Sequence, residues 1–240
     1  MGLFEKKYCD VCGEKIGMLG NRKLDDGNLC KNCAKKLSPW FSDRRHSTVA
    51  EIKEQLAYRE ANKEKVAAFH TTRTLGMNTK IMLDEDAQRF MVTSARNIEE
   101  ANPDVIGFSQ VTGCNLDIDE TRTELKRELP DGKEVSYIPP RFEVEYDFDI
   151  IINVDSPWFD EIKFRLNNSR VNANSRGEYD NYRAMGEEIK AVLTQVRQDV
   201  RDAAAAASAP KMAVTCPYCG ATTMPDANGR CEYCGGAING

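Results

Sequence analysis

Eight of the nine cysteines in this 240-residue chain fall into four Cys-x-x-Cys pairs, two near each end. Cys9-Asp-Val-Cys12-Gly13 is answered by Cys30-Lys-Asn-Cys33, and Cys216-Pro-Tyr-Cys219-Gly220 by Cys231-Glu-Tyr-Cys234-Gly235. A segment of a few tens of residues buries too little apolar surface to fold unaided, so such ends need a metal or disulfides. Two Cys-x-x-Cys pairs supply four thiolates, the tetrahedral set that Zn2+ prefers. Glycine after the second cysteine, at Gly13, Gly220 and Gly235, permits the tight turn that aims backbone N–H groups at sulfur. The spans 13–29 and 220–230 suit a hairpin or an irregular loop. Four thiolates leave no open coordination position, so the expectation is two closed, structural Zn2+ sites and no catalytic residue. Their ligands are Cys9, Cys12, Cys30 and Cys33, and Cys216, Cys219, Cys231 and Cys234. Each bound ion would contribute on the order of 10 kcal/mol, which amounts to the folding energy of a ribbon. Disulfides compete, because the knuckle cysteines are even in number. The opening Met1-Gly-Leu-Phe-Glu-Lys-Lys7 carries no export signal, which favours metal over disulfides and points to the cytoplasm.

Charge separates the chain into regions. Residues 1–46 hold ten Lys/Arg against six Asp/Glu, giving +4, whereas 70–177 hold thirteen against twenty, giving −7. The first ribbon is therefore mildly basic and the middle acidic. The longest apolar cluster, Ile150-Ile-Ile152, is a buried strand's worth and far short of a membrane span.

Between the ribbons the periodicity predicts an α+β arrangement. After Cys33 a helical turn stops at Pro39, with Trp40 and Phe41 set to pack on the ribbon. Thr48-Val-Ala-Glu51 reads as a capping box that opens a helix to about residue 68, with apolar residues at Val49, Ile52, Leu56, Val66 and Phe69. Its middle, 58–65, is mostly charged, so this helix reads as a connector. From Thr79 the pattern turns to strands: a hairpin of 80–83 with 88–93, then a second of 105–109 with 113–119. Residues 121–140 read as an extended loop or ragged hairpin. In 141–154, Phe142, Val144, Tyr146, Phe148, Ile150, Ile152 and Val154 alternate with Glu143, Glu145, Asp147 and Asp149, the clearest strand signal in the chain. Residues 159–166 return as its partner. Ser175-x-x-Glu178 caps a long helix bearing Tyr182, Met185, Ile189, Val192, Val196 and Val200 on one face. An Ala-rich stretch extends or frays it until Pro210. The boundaries so drawn are a ribbon at 1–46, a connector helix at 47–69, a sheet domain with its helix at 70–202, a linker at 203–213 and a second ribbon at 214–240.

Six or seven antiparallel strands closed by one amphipathic helix resemble a pleckstrin-homology-like domain. Cys9-Asp-Val-Cys-Gly-Glu-Lys-Ile-Gly17, Lys23-Leu-Asp-Asp-Gly27 and Cys30-Lys-Asn-Cys-Ala-Lys-Lys-Leu37 resemble a bacterial family of unknown function with a four-Cys N-terminal ribbon. Thr72-Arg-Thr-Leu-Gly76, Ile81-Met-Leu-Asp-Glu85 and Ile106-Gly-Phe-Ser-Gln-Val111 resemble the sheet domain that follows in such proteins. The resemblance spans about 5–200 and implies no activity. The second ribbon resembles generic zinc ribbons.

Several features outside the knuckles invite a role. Glu143, Glu145, Asp147 and Asp149, extended by Asp117 and Asp119, form an acidic stripe that could receive a cation, a basic partner or the basic ribbon itself; the competing reading is a solvated face with cross-strand Lys or Arg partners. Trp158 is an aromatic anchor for a partner or a hairpin-tip ring folded onto the sheet. Cys114 reads as a buried thiol, His46 and His70 as local polar residues, and Asp84-Glu-Asp86 as a turn. No phosphate-cradling loop, nucleophile elbow or His-Glu-x-x-His occurs. The resulting expectation is a non-enzymatic zinc adaptor that binds a protein through its ribbons and a sheet edge. Nucleic-acid binding through the basic ribbon is the alternative, and membrane attachment by the sheet domain a third.

Overall fold

The computed structural model describes residues 6–208, 213–226 and 229–238. They fall into two compact units, Met1–Gln198 and Asp199–Gly240. The architecture mixes helices with several small antiparallel sheets.

The first unit begins with the ribbon, whose hairpin pairs β1 (Arg22–Lys23) with β2 (Asn28–Leu29) and leads into a single turn, α1 (Lys31–Ala34). Then comes α2 (Val49–Ala67). Thr48 and Glu51 form the expected capping box: the Thr48 hydroxyl accepts from the Glu51 N–H at 3.3 Å, and the Glu51 carboxylate accepts from the Thr48 N–H at 2.7 Å.

The connector reading of α2 needs correction, because the helix is buried along one side for its whole length. Its first turns pack Val49, Ile52 and Leu56 against Ile16, Leu24, Leu29 and Leu37 of the ribbon. Its last turn places Val66 and, just beyond it, Phe69 against Met82, Met91 and Val105. Between these two apolar contacts lie Gln55, Arg59 and Asn62, all buried. Hydropathy counts mark such a stretch as solvated, yet the polar groups of Arg59 and Asn62 are matched, while the Gln55 amide is buried without a partner among the described residues. Asn62 donates to the Asn102 side chain and the Pro103 carbonyl, both at 2.8 Å, and accepts from the Val105 N–H at 3.0 Å. Arg59 pairs with Asp104 at 2.7 Å and donates to the Asn102 carbonyl.

Two sheets follow. The first, in the order β3 (Arg73–Gly76), β4 (Lys80–Asp84), β5 (Arg89–Thr93) and, after the short α3 (Ile98–Ala101), β6 (Val105–Gly107), is antiparallel throughout. Its register sets Met82, Met91 and Val105 on the face that meets α2, and Ile81, Leu83, Phe90, Val92 and Ile106 on the other, where all five are buried. The expected hairpin of 105–109 with 113–119 does not form: β6 completes this first sheet, and residue 111 opens a different one. In that second sheet β7 (Val111–Glu128) pairs along its length with β8 (Glu134–Val154), and β8 also takes β9 (Glu161–Arg165) and β10 (Val171–Asn172) on its far side. The ragged region at 121–140 is thus the outer half of a long hairpin, turned at Pro130-Asp-Gly132 and interrupted by a register shift between Leu125 and Lys126.

The closing helix, α4 (Arg176–Ser208), runs across the boundary between the units. Within the first unit Tyr179 meets Tyr146 and Phe148 edge to face, Tyr182 stacks on Phe148, and Glu188 pairs with Arg73 at 2.8 Å. Gly186 lies so near β7 that a Cβ there would fall 2.5 Å from a Leu116 methyl. Pro210, the predicted end of this helix, lies outside the described residues. The second unit holds the other ribbon: β11 (Val214–Thr215) pairs with β12 (Thr222–Thr223), and an isolated bridge joins Arg230 to Ala237. Among the described residues no helix is long and apolar enough to cross a membrane.

Candidate metal centres

At the N-terminal end the first knuckle is a backbone turn. The Gly13 N–H donates to the Cys9 carbonyl at 2.8 Å, and Gly13 sits at φ +75°, a conformation costly for any residue with a Cβ. The second knuckle is built differently, because Cys33 is followed by alanine. Here Cys30 caps α1, and its sulfur accepts from the Cys33 N–H at 3.3 Å. The Cys30 N–H in turn donates to the Cys9 sulfur at 3.3 Å. At the C-terminal end both knuckles are glycine turns: Gly220 and Gly235 donate to Cys216 and Cys231 at 2.9 and 2.8 Å, at φ +73° and +69°.

These turns gather two four-sulfur clusters, Cys9/Cys12/Cys30/Cys33 and Cys216/Cys219/Cys231/Cys234, each with all its sulfurs within 4.8 Å of one another. All nine cysteines are free thiols. The closest pairs, Cys12 with Cys30 at 3.7 Å, Cys216 with Cys234 at 3.5 Å and Cys219 with Cys231 at 3.7 Å, are far beyond a disulfide bond. A tetrahedral ion with metal–sulfur bonds of about 2.3 Å has edges of about 3.8 Å. The sulfur spacing fits that edge.

Electrostatics point the same way. Burial raises the Cys9 thiol, but the N–H groups of Cys30, Cys12 and Val11 outweigh it and bring the thiol down to about 7. At Cys216 burial is likewise outweighed, by the N–H groups of Cys219 and Tyr218, again to about 7. Two other members of each cluster, Cys12 and Cys33 and Cys219 and Cys234, move the opposite way. Cys33 is pushed up by burial and by the neighbouring thiols of Cys12 and Cys30. At Cys234 the Gly236 N–H pulls down, but the Cys216 and Cys219 thiols push it up to about 12. In each cluster one sulfur ionises readily and two resist, as expected of like charges crowded together. A cation at the centre removes that resistance.

The apolar support is unequal. The first cluster belongs to a core that includes Leu24, Leu29, Leu37 and Ile52, whereas the second has Cys216, Cys231 and Ile238 as its buried set, with Val214 against it.

Away from the clusters, the acidic stripe is already occupied. Arg165 bridges Asp147 at 3.0 Å and Asp149 at 3.3 Å, Lys163 meets Asp149 at 3.2 Å, and Arg170 reaches Asp147 at 3.4 Å. Arg170 also approaches Glu145 at 3.8 Å, and Asn172 donates to Glu143 at 3.0 Å. Asp147 and Asp149 are 6% and 7% exposed, whereas Glu143, Asp117 and Asp119 are exposed, so the stripe is an acidic face whose inner carboxylates are paired with Lys and Arg from the neighbouring strand and loop. The basic ribbon does not dock there. It is fastened by Ser38, whose hydroxyl donates to Asp104 at 2.7 Å, and by the Lys36 carbonyl, which accepts from Arg59. Trp158 is half-buried between Phe41 of the ribbon segment and Tyr58 of α2, at ring separations of 6.0 and 6.5 Å, so the ring serves that junction instead of standing free as an anchor.

Cys114 is buried and its thiol is pushed up to about 11 by burial, the opposite of an activated nucleophile. Asp84 does serve the turn: its carboxylate accepts from the N–H groups of His70 and Ala87 at 3.1 Å and from Arg89 at 2.8 Å. His70 meets Asp86 at an exposed 3.5 Å, and His46 ends a short 3-10 turn after the ribbon. The Arg59–Asp104–Ser38 junction is what the sequence reading missed. Its partners lie 45 and 66 residues apart, and no local pattern joins them.

Residues 7–55 match the family model of a domain of unknown function, DUF4428. The match crosses the expected boundary at 46 into the first two turns of α2. The structure supplies a reason: Val49 and Ile52 complete the core of the matched segment, so the ribbon and the start of the helix form one packing unit. No curated protein and no solved structure matches the chain.

Proposed function

We propose that this protein is a non-enzymatic adaptor carrying two structural Zn2+ ions, with its N-terminal ribbon fixed to a pleckstrin-homology-like domain. The observation that carries the reading is the pair of closed four-sulfur clusters. Thiolate sets of this kind suit Zn2+, and four sulfurs saturate it, so the ion would stabilise shape and leave no position for substrate. The pleckstrin-like assignment rests on the order of elements: a four-stranded antiparallel sheet, a second antiparallel sheet, then a helix whose tyrosines pack on β8. Such a framework recognises partners by surface complementarity, through ribbon loops and exposed strand edges.

Elemental analysis of the purified full chain should find two equivalents of zinc, one per cluster. Replacing Cys9 and Cys12 by serine should remove one equivalent and abolish co-purification of the native protein partner, while a Cys114→Ser control keeps both. Finding redox metals, or cross-linked cysteines without metal, would refute the reading.

A second reading has its own support. Arg22, Arg44 and Arg45 are near enough that the two flanking charges add to burial in lowering the Arg44 guanidinium below its ordinary value. Lys23 adjoins them, with its carbonyl accepting from Arg44 at 3.2 Å. Such a cluster suits phosphate contacts. Gel shifts at two salt concentrations separate the readings: a complex that weakens steeply with salt supports nucleic acid, and no complex at low salt removes it.

A further inference from the structure

β7 is an edge strand. Among the described residues its one strand partner is β8, so its other side offers unpaired backbone groups along all eighteen residues. From Thr121 outward β7 is largely exposed, and with the first part of β8 it makes a two-stranded arm. Isolated two-stranded arms are marginal in water, and long open edges are normally blunted. The β8 side of this arm is blunted, by Pro139, Pro140 and the register shift. The β7 side has no proline.

Alternate residues of this edge share one face: Glu120, Arg122, Glu124, Lys126 and Glu128. Their signs alternate without a break. Across the hairpin they lie opposite Tyr146, Val144, Phe142, Ser136 and Glu134, so β8 offers this row no opposite charge. Glu120 is held by Arg122 at 2.9 Å and by the Tyr146 hydroxyl at 3.1 Å. Glu124, Lys126 and Glu128 have no ion-pair partner among the described residues.

An alternating row is its own complement when it pairs antiparallel with a copy of itself. With a two-fold axis at Leu125, Glu124 faces Lys126 of the second copy and Arg122 faces its Glu128. Leu125, 40% exposed, meets its own copy on the opposite face. Moving the axis one residue to either side sets like charges opposite each other, Glu124 against Glu128 or Arg122 against Lys126, which disfavours those registers. Moving it two residues inward, to Thr123, draws on Glu120, which Arg122 and Tyr146 already engage.

We propose that the outer half of β7 pairs edge to edge with a second copy of this chain, about Leu125, to form a symmetric dimer. The inference is independent of the metal sites. One strand pair buries a small area, so the dimer is a reversible, concentration-dependent one.

Sedimentation equilibrium on the zinc-loaded full chain at low salt tests it. The mass should rise from monomer toward dimer with concentration. Glu124→Lys and Lys126→Glu should each weaken dimerisation on the order of tenfold or more, since each places like charges opposite one another on both sides of the axis. An equimolar mixture of the two variants should recover the dimer, because opposite signs again meet across both pairs. Both positions are exposed, and unchanged circular dichroism will confirm folding. A chain that stays monomeric at every concentration, a dimer that both variants leave intact, or a mixture that does not recover it would each overturn the proposal.

Discussion

Asp104 serves two elements with one carboxylate. Its Oδ1 accepts from Arg59 of α2 and its Oδ2 from Ser38 of the ribbon segment, both at 2.7 Å, and its side chain is fully buried. A buried pair of this kind adds little over an apolar replacement, but removing one partner strands the other's charge. Asp104→Asn is therefore expected to cost about 3 kcal/mol in urea unfolding, and Asp104→Leu combined with Arg59→Met clearly less than the two single changes summed. Full additivity would show that the two residues do not act as a pair. Asp84 makes a pH-dependent contribution. Burial alone would raise its carboxyl, but the N–H groups of His70 and Ala87 and the Arg89 guanidinium reverse this and hold it below the ordinary 3.8. A depressed carboxyl stabilises the fold above its unfolded value, and the contribution is lost as pH falls through the lower folded value. Asp84→Asn should thus cost about 2 kcal/mol at neutral pH and flatten the acid limb of the stability curve below about pH 4. A variant whose acid limb matches the parent's would remove Asp84 from that role.

At the scale of elements, the approach of α4 to β7 is the sharpest constraint. Alanine at a helix interior gains about 1 kcal/mol over glycine, but at Gly186 the new methyl would sit 2.5 and 2.9 Å from the two Leu116 methyls and 3.1 Å from the carbon that bears them. Overpacking of that degree costs about 1–3 kcal/mol, so Gly186→Ala should destabilise on balance, and Leu116→Ala in the same chain should relieve part of the loss. Stabilisation by Gly186→Ala alone would mean that the helix stands farther off. How much of this was readable depended on where the information lay. The capping box of α2 and the inner half of β8 were legible because Thr48 and Glu51 are three residues apart and the 148–154 alternation is local. β3 was missed, since Leu75 is its one buried residue. The outer half of β7 was read as no more than an extended loop or ragged hairpin because its alternation is of charge sign and not of hydropathy. The middle of α2 was misjudged because Arg59 and Asn62 find their partners forty or more residues away, at 102–105.

For the whole molecule, the eight clustered cysteines were the most legible feature, because a knuckle's geometry is written within four residues. What spacing could not convey is how unequally the two ribbons are supported. The first shares a core with α2 and is pinned at Ser38 and Arg59, so losing its metal leaves apolar and polar contacts in place. Among the described residues the second buries Cys216, Cys231, Ile238 and Thr223 and little else, and at that size a metal supplies the folding energy. Chelation should therefore act asymmetrically. Hydrogen exchange on the full chain should show protection lost throughout 213–238 on adding a chelator, a modest rise in exchange at 8–33, and no change in β4, β5 and the inner half of β8. Acid should reproduce the order of loss. Thiols must be deprotonated to hold the ion, so protons compete with metal, retention falls as pH drops, and the second ribbon opens first. Equal loss at the two ends, or a C-terminal ribbon that keeps its protection without metal, would contradict this ordering and the division of folding energy from which it follows.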